Sequence, residues 1–340
     1  MADRAGHFVQ RQFALECGSV LPEVTTAYLT RGALASDRRN AVLVTHGYTS
    51  GPDMITDGAD SAEGSWAAIV GPGRPVDTDR YFVVCPNALG SSFGSTNAAS
   101  VDPTTGSPFG SRFPSITIGD IVACQHALLE HLGVAHLAAV IGPSFGGAQV
   151  FQWGVDYPDQ MDALVAVLSA PALPQANVAA LEARLARHPD WHGGDYYGNG
   201  SMADLLTAMR IETLTTYGID AVLAQRLPDP AQRAAELHRL AREWAGTFDA
   251  NSMLILLKAM ARFDVTGRLD RIRAPLLYVL SRTDRMFPPA LAPQVMAQLE
   301  RAGVDARYFE IDSEYGHFAS GIDAAKWGPA LRDFLAGTAR

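Results

Sequence analysis

The chain has 340 residues, of which 48% are hydrophobic and 19% are charged, and its formal net charge is −9. This composition is typical of a folded globular protein, and the length allows two average domains or one large α/β domain with an insertion. The acidic balance, with basic residues scattered along the chain, argues against a nucleic-acid groove or a membrane-binding face and favours small-molecule partners.

The N-terminal region has charges interleaved with short apolar pieces and lacks the continuous apolar region of a secretory signal. Residues 7–32 alternate in polarity around a CGSVLP turn, which predicts an antiparallel strand pair at a sheet edge. No segment approaches the ~20 apolar residues of a membrane span. Cys17, Cys85 and Cys124 are too far apart for a C-x-x-C site and are expected to be reduced and buried. These features predict a cytoplasmic location.

Six short, mostly apolar runs follow, of the kind found in strands that are buried on both faces of a parallel sheet. They are AVLVTHG (41–47), YFVVCPN (81–87), LAAVIG (137–142), ALVAVLS (163–169), PLLYVLS (275–281) and RYFEID (307–312). Helical patterns lie between them, notably TIGDIVACQHALLEHLG. The alternation predicts βαβ units and a mostly parallel central sheet with helices on both faces.

One long interval breaks this alternation. From about residue 171 to residue 265 no convincing strand occurs, and four segments have helical periodicity: NVAALEARLARH, MADLLTAMRIETLTTYG, PAQRAAELHRLAREWAG and NSMLILLKAMARF. A helical block between two strands of one sheet predicts an inserted cap. The predicted organisation is a core domain of residues 1–170 and 266–340 and a helical cap or lid of residues 171–265.

The segment VIGPSFGGAQ places Ser144 in a G-x-S-x-G pattern between a predicted strand and a predicted helix. On such an elbow the serine has strained backbone geometry, and Gly142, Gly146 and Gly147 leave room for the turn. The following helix directs its positive end at a developing oxyanion. We therefore expect Ser144 to be a nucleophile, and the alternative is a small residue in a tight glycine-rich connection.

A nucleophilic serine needs a histidine base and an orienting carboxylate, which follow it in the order acid, then histidine, in the α/β-hydrolase fold. Asp284 and His317 each lie just beyond the carboxyl end of a predicted strand, where open sheets place their sites. The predicted triad is Ser144, Asp284 and His317. The rival acids are Asp312, Glu314 and Asp270, and the rival histidines on helical or cap segments are His126, His131, His188, His192 and His238.

The oxyanion also needs two backbone donors. Phe145, directly after the nucleophile, is expected to provide one, and Tyr48, in the loop that follows the strand 41–47, is expected to provide the other. His46 is expected to organise this loop rather than to catalyse. The sequence has no metal-ligand spacing, no P-loop lysine and no G-x-G-x-x-G pattern, so neither a metal nor a cofactor is predicted.

The chain resembles the homoserine O-acetyltransferase family of α/β-hydrolase-fold proteins over nearly its whole length. The resemblance is carried by VTHGYTSG, NALGSSFGST, GPSFGGAQVFQWGVDYPDQMD, FDANSMLILLKAMARFD and TDRMFPP. It implies an acyl-enzyme intermediate on the triad and a helical lid that takes part in a homodimer contact. It also implies that Arg210, in MRIETLTTY, holds the carboxylate of an amino-acid acceptor, with Tyr217 at the end of the same pattern. The alternative for Arg210 is a solvated helix residue.

Two departures from the family pattern bear on the substrate. Pro143, Phe145 and Ala148 replace the second glycine and both methionines of G-G-S-M-G-G-M. Phe318 follows His317 where the family pattern G-H-D-A-F has an acidic residue. An apolar side chain cannot balance an ammonium group, and burying an unpaired charge costs roughly several kcal/mol. A zwitterionic acceptor is therefore disfavoured, and Phe145 and Phe318 suit an uncharged substrate.

The favoured function is accordingly a serine carboxylesterase that hydrolyses small short-chain acyl esters, in particular acetyl esters, through an acyl-enzyme intermediate. The alternative is an acetyl-CoA-dependent O-acetyltransferase acting on homoserine or another alcohol, which the retained Arg210 favours. A non-catalytic binding protein on the same fold is disfavoured by the complete serine, acid and histidine set. The expected partners are a small-molecule ester and, by resemblance, a second copy of the chain bound through the cap, with no nucleic acid and no membrane.

Overall fold

The computed structural model describes residues 3–59, 64–173 and 177–338. The strands of its central sheet are β1 (Arg4–Ala14), β2 (Val20–Arg31), β3 (Ala41–Val44), β4 (Phe82–Pro86), β5 (Leu137–Pro143), β6 (Leu164–Val167), β7 (Leu276–Ser281) and β8 (Ala306–Ile311). Their order across the sheet is β1-β2-β4-β3-β5-β6-β7-β8. Every neighbouring pair from β4 to β8 is parallel, whereas β2 is antiparallel to both of its neighbours.

Ten α-helices occur in the described ranges. They are α1 (Ile118–His131), α2 (Phe145–Asp156), α3 (Val178–Ala186), α4 (Ala203–Tyr217), α5 (Ile219–Ala224), α6 (Pro230–Ala245), α7 (Ala250–Ala261), α8 (Ala292–Arg301), α9 (Ala319–Ile322) and α10 (Ala324–Thr338). The start of α1 is fixed by a capping box, in which Thr117 and Asp120 each accept a hydrogen bond from the other's backbone N–H.

The central strands are buried on both faces, as their continuously apolar sequences predict. In β3 all four residues are buried, and Leu43 packs into the apolar cluster that contains residues of α1 and α2. Its neighbours Val42 and Val44 point the other way and pack with Trp327 of α10. Because successive side chains of a strand point to opposite faces, one short apolar run stabilises two layers of helices. The predicted α/β-hydrolase fold is confirmed.

The antiparallel hairpin at the sheet edge agrees with its prediction. Some strands of the sheet are shorter than the apolar runs that predicted them. Strands β1 and β2 pair antiparallel, with His7 opposite Ala27. The run 41–47 pairs as a strand only as far as Val44, because His46 and Gly47 turn out of the sheet. This turn brings the loop after β3 over the edge of the sheet.

Five helices, α3 to α7, lie between β6 and β7 in chain order. The helix α5 was not predicted, because six residues carry too little periodicity to distinguish them from a loop. It is separated from α4 by Gly218, whose φ of 97° ends α4 with a left-handed residue. The division of the chain at residues 171 and 265 and the homodimer contact through the cap stay predictions.

The cysteines differ from their prediction at one position. Cys85 and Cys124 are buried and free, whereas Cys17 is exposed. Cys17 lies in the turn between β1 and β2, where a side chain has no second layer to pack against. None of the helices in the described part of the chain combines the length and the apolar character that a membrane crossing requires.

Candidate active site

The strained turn predicted at Ser144 is present between β5 and α2. Ser144 has φ of 56° and ψ of −118°, a conformation that non-glycine residues rarely adopt. The turn needs its glycines, because a Cβ on Gly142 would lie 2.0 Å from Thr45 Oγ1 and one on Gly146 would lie 2.2 Å from the Thr45 carbonyl oxygen. The backbone therefore presents the Ser144 side chain at the carboxyl end of β5, at the N-terminus of α2.

Asp284 and His317 form a direct pair although 33 residues separate them. The loop after β7 carries Asp284, and the turn after β8 carries His317. His317 Nδ1 lies 2.8 Å from Asp284 Oδ2, and Asp284 Oδ1 accepts hydrogen bonds from the backbone N–H groups of Met286 (2.8 Å) and Phe287 (3.3 Å). An ionised carboxylate accepts from Nδ1–H, which leaves Nε2 of the imidazole as the proton acceptor.

The pKa of Asp284 is set by opposing effects. Burial of this side chain raises the pKa, but the nearby His317, its hydrogen bond and the two backbone N–H donors together bring the pKa below its ordinary value. The carboxylate is consequently ionised at neutral pH. A buried, ionised and fully hydrogen-bonded carboxylate can orient an imidazole and stabilise its positive charge.

The imidazole of His317 is held on its faces as well as at Nδ1. The ring of Tyr217 lies 4.6 Å from it, and the ring of Phe287 lies 5.9 Å from it in a stacked arrangement. Ser144 and His317 line the same cavity, which has a volume of about 60 Å³. The other described residues that line it are Gly47, Tyr48, Thr49, Ser50, Gly64, Ser65, Pro143, Tyr217, Phe318, Ser320, Gly321 and Ile322. The structure thus brings the three residues of the predicted triad to one site.

The loop after β3 lies beside this cavity and is fixed by His46. The His46 ring bonds to the Gly47 carbonyl oxygen through Nδ1 (2.7 Å) and accepts the Ala88 N–H at Nε2 (2.9 Å). Burial lowers the pKa of His46 to about 4, so the ring is neutral at pH 7, as this donor and acceptor pattern requires. Its geometry is that of a loop-organising residue.

The two backbone N–H groups predicted for the oxyanion hole belong to Tyr48, which lines the cavity, and to Phe145, the first residue of α2 after Ser144. Within the described ranges, neither the Tyr48 N–H nor the Phe145 N–H donates a hydrogen bond to another protein group. The Tyr48 hydroxyl donates to the Met253 carbonyl oxygen (2.6 Å), which anchors the loop to α7. Tyr48 lines the cavity that contains Ser144, whereas Phe145 is not among the described residues that line it, and the oxyanion hole stays a prediction.

Arg210 is a buried residue of α4, so the alternative of a solvated helix residue is wrong. Its side chain is 1% exposed, and Nη1 donates to Thr49 Oγ1 at 2.7 Å. Tyr217 lies seven residues later, two turns along the same helix, and packs on His317. Burial raises the pKa of Tyr217, so its hydroxyl is protonated at neutral pH. One face of α4 therefore connects the loop after β3 with the histidine.

Phe318 forms an apolar wall of the same cavity. It is buried in a cluster with Leu214 and Ile219, and its ring meets Tyr217 edge to face at 5.8 Å. None of the described residues that line the cavity is acidic. The apolar position that the sequence identified after the histidine is thus part of the site.

The rival residues lie elsewhere. Asp312 and Glu314 are exposed and pair with Arg282, and His126 stacks on Tyr157. In the described ranges no three His, Cys, Asp or Glu side chains are close enough together to hold a metal ion. Asp312, Glu314 and His126 thus have partners outside the cavity, and none of the eight rival residues is among the described residues that line it.

Sequence reasoning missed several residues around the site, among them Thr49, Phe287 and Trp244. Thr49 is adjacent to Tyr48 and could have been found from its position in the loop. Trp244 donates from its indole N–H to the Thr49 carbonyl oxygen across 195 residues of chain. No local pattern relates two residues so far apart.

Comparisons with known proteins agree with the fold and identify the family. The family described as the α/β hydrolase fold matches residues 40–323. A homoserine O-acetyltransferase from Haemophilus influenzae is 36% identical over 351 residues, which cover 97% of this chain and 98% of the relative. A homoserine O-acetyltransferase from Moorella thermoacetica is 36% identical over 346 residues, which cover 94% and 92%. The crystal structure of esterase E22 superposes with a TM-score of 0.87 at 26% identity, over 98% of this chain and all of that one.

The sequence predicts a serine esterase as the main activity, and these relatives show that this expectation is wrong. Homoserine O-acetyltransferases match from end to end at 34% to 36% identity, which supports acyl transfer to an alcohol over hydrolysis. The expectation rested on Phe145 and Phe318, two apolar residues near the nucleophile. Apolar walls exclude water as well as charge, so these residues do not distinguish hydrolysis from transfer.

Proposed function

Because this chain belongs to the homoserine O-acetyltransferase-like family of α/β-hydrolase fold enzymes, we propose that it transfers an acetyl group from acetyl-CoA to the hydroxyl of an alcohol acceptor, with homoserine as the first candidate. The full-length similarity to homoserine O-acetyltransferases carries this proposal. The buried guanidinium of Arg210 beside the cavity supports it, because a buried cation suits an acceptor that bears a carboxylate.

In the first half of the proposed reaction, Ser144 forms an acyl-enzyme. His317 Nε2 takes the Ser144 hydroxyl proton as Oγ attacks the thioester carbonyl, and the Tyr48 and Phe145 N–H groups stabilise the oxyanion. Asp284 stabilises the imidazolium. The tetrahedral intermediate expels the thiolate of CoA, which takes the proton from His317. The product of this half is acetyl-Ser144 and free CoA thiol.

The second half repeats these steps with the alcohol in the place of the serine. His317 removes the proton of the acceptor hydroxyl, the oxygen attacks the acetyl carbonyl, and Ser144 Oγ leaves and regains its proton. Water competes for the same acyl-enzyme, so a transferase must hold the acceptor close and limit the access of water. The apolar ring of Phe318 and the carboxylate-binding position of Arg210 fit these two requirements.

The proposal is tested by the release of free CoA thiol. We expect CoA release from acetyl-CoA to increase at least about tenfold when homoserine is added, because an aligned acceptor has a high effective concentration. The same assay with 4-hydroxybutyrate, which keeps the carboxylate and the hydroxyl but lacks the ammonium group, tests whether the apolar Phe318 disfavours an acceptor that carries an ammonium group. CoA release that no acceptor increases would refute acyl transfer.

Arg210 is expected to determine the affinity for a carboxylate-bearing acceptor. Arg210→Lys keeps the charge but loses the planar fork that binds a carboxylate in two places, so we expect the acceptor KM to rise about 10- to 100-fold, with a smaller fall in kcat. Steady-state transfer with acceptor varied at saturating acetyl-CoA measures both constants.

Arg184→Lys is the matched control for this substitution. Arg184 lies on α3 in the same interval of the chain and pairs with Glu212 at the surface. Its acceptor KM should stay within about twofold of the wild-type value, because exposed ion pairs contribute little. Equal KM values for both variants would contradict acceptor binding by Arg210.

A further inference from the structure

A buried tryptophan of the cap contacts both the loop after β3 and Arg210. Trp244, on α6, is 3% exposed. Its indole Nε1–H donates to the Thr49 carbonyl oxygen at 3.0 Å, and the Arg210 guanidinium carbon lies 4.8 Å from the ring centre. The edge of one side chain therefore holds the main chain of the loop while its face holds a buried cation.

Two phenylalanines extend this contact along the loop. Phe248 stacks on Trp244 with ring centres 4.6 Å apart and planes inclined by 19°, and Phe93 packs on Phe248 at 5.7 Å. The Phe93 ring also occupies the space in front of Gly51, where an added Cβ would lie only 2.8 Å from it. We call Trp244, Phe248 and Phe93 the aromatic column. It lies along residues 49–51, directly after Tyr48.

The aromatic column can fix the backbone position of Tyr48 without contacting the reactants. Trp244 does not line the cavity that contains Ser144, so it cannot act on the reacting atoms directly. Its partner Thr49 follows Tyr48 in the chain, and a displaced Thr49 carbonyl group would move the Tyr48 backbone with it. Removing a single oxyanion donor costs about 10²- to 10³-fold in rate, so a small displacement of that donor has a measurable effect.

We propose that Trp244 is a positioning residue that sets the Tyr48 N–H for the oxyanion and the Arg210 guanidinium for the acceptor. The second half of this inference rests on the proposed acetyl transfer, whereas the first half requires only a nucleophilic Ser144. The two contacts use different parts of the indole, the N–H edge and the ring face. Substitutions that remove one part or both can therefore separate them.

Trp244→Phe removes the N–H and keeps an aromatic face under Arg210. We expect the rate constant for labelling of Ser144 by a fluorophosphonate probe to fall about tenfold or more, with a similar fall in kcat for transfer. The homoserine KM should change less than about threefold. Trp244→Leu also removes the aromatic ring, and should in addition raise the homoserine KM about tenfold, since the Arg210 guanidinium loses the ring face that holds it in place.

Trp191→Phe is the matched control, because Trp191 belongs to the same apolar cluster and stacks on Tyr196 instead of contacting the loop. The fluorophosphonate probe should label Ser144 of Trp191→Phe with a rate constant within about twofold of the wild-type value. The rate constant is taken from the time course of the reactive fraction, so partial unfolding lowers the amplitude and leaves the rate constant unaffected.

The outcomes separate this inference from the proposed function. Labelling of Trp244→Phe as fast as that of Trp191→Phe would overturn the positioning of the Tyr48 N–H. A slowed Trp244→Phe in a protein whose CoA release no alcohol acceptor increases would support the loop contact and refute the transferase. A homoserine KM that is the same in Trp244→Leu and in the wild type would overturn the positioning of Arg210.

Discussion

Ser144→Ala is expected to lower kcat for acetyl transfer by about 10⁴-fold or more, because alanine cannot form the acyl-enzyme. Residual turnover would then come only from the oxyanion donors and from substrate binding. CoA release with acetyl-CoA and homoserine measures the loss. Intact-protein mass spectrometry after mixing with acetyl-CoA should show an acetylated wild type and an unmodified variant.

The loss should occur in a folded protein. Ser144 has a strained φ of 56° that alanine shares, and its N–H bond to the Val167 carbonyl oxygen belongs to the backbone. The thermal midpoint should therefore stay within about 2 °C of the wild type. Ser252→Ala is the matched control, because Ser252 is buried and its hydroxyl has no hydrogen-bond partner among the described residues. An alanine variant at 144 with more than about a hundredth of the activity would contradict the triad.

Much of the fold was predictable because most strands of the central sheet have continuously apolar sequences. A strand buried on both faces must be apolar throughout, as the run Ala41–Val44 is, and a series of such runs separated by helical patterns leaves few architectures open. The sixth run is the exception, because it forms the edge strand β8, in which Arg307 and Glu310 are exposed. The elbow at Ser144 was predictable for a similar reason. Only glycine fits at positions 142 and 146 without a steric clash, so Gly142 and Gly146 in the sequence indicate the geometry of the turn.

The positions of the acid and the histidine were predictable from topology rather than from local pattern. Asp284 and His317 follow β7 and β8, and the carboxyl ends of parallel strands meet at one edge of the sheet. This placement distinguished Asp284 from Asp270, which precedes β7, whereas Asp312 was disfavoured because it lies in the same loop as His317. A residue that lies just beyond a strand end is located by the sheet itself.

The contacts of α4 and α6 with the loop after β3 could not be predicted, because no repeating geometry places these helices over the loop. Trp244 and Arg210 both lie on amphipathic helices on which many orientations are compatible with the sequence. Only the packing of α4 against α6 brings Arg210 onto Trp244 and both of them onto Thr49. Such contacts depend on tertiary packing, which local periodicity does not encode.

The choice between water and an alcohol as the acyl acceptor could not be predicted for a related reason. An apolar Phe318 disfavours a charged acceptor, but one apolar wall does not define a complete subsite and does not indicate an esterase. The acyl-enzyme is common to both reactions, and the acceptor is selected by every group that surrounds it. The full-length relatives, together with the burial of Arg210, favour the alcohol.

Asp284→Asn is expected to lower kcat for acetyl transfer by about 10⁴-fold while the protein stays folded. A neutral amide cannot stabilise the imidazolium of His317, and its NH₂ group can hydrogen-bond the ring in the wrong tautomer. CoA release measures the effect. The rate of fluorophosphonate labelling should fall with it, because the base that activates Ser144 is impaired.

The same substitution has an expected signature in the pH dependence of stability. The pKa of Asp284 is lower in the folded protein than its ordinary value of about 3.9. Its ionised form therefore stabilises the fold above that ordinary value, and this contribution is lost as the pH falls through the lower folded pKa. The difference in thermal midpoint between wild type and Asp284→Asn should thus become more favourable to the variant on acidification below about pH 4.

Asp312→Asn is the control that separates the two candidate acids of this region. Asp312 follows β8 and bonds to the exposed Arg282, so removing its charge should change kcat less than about twofold. A large loss of kcat in Asp312→Asn together with retained activity in Asp284→Asn would show that the orienting carboxylate is Asp312 and not Asp284. Because the chemical change is the same in both variants, the comparison isolates the 2.8 Å contact between Asp284 and His317 as the cause of the loss.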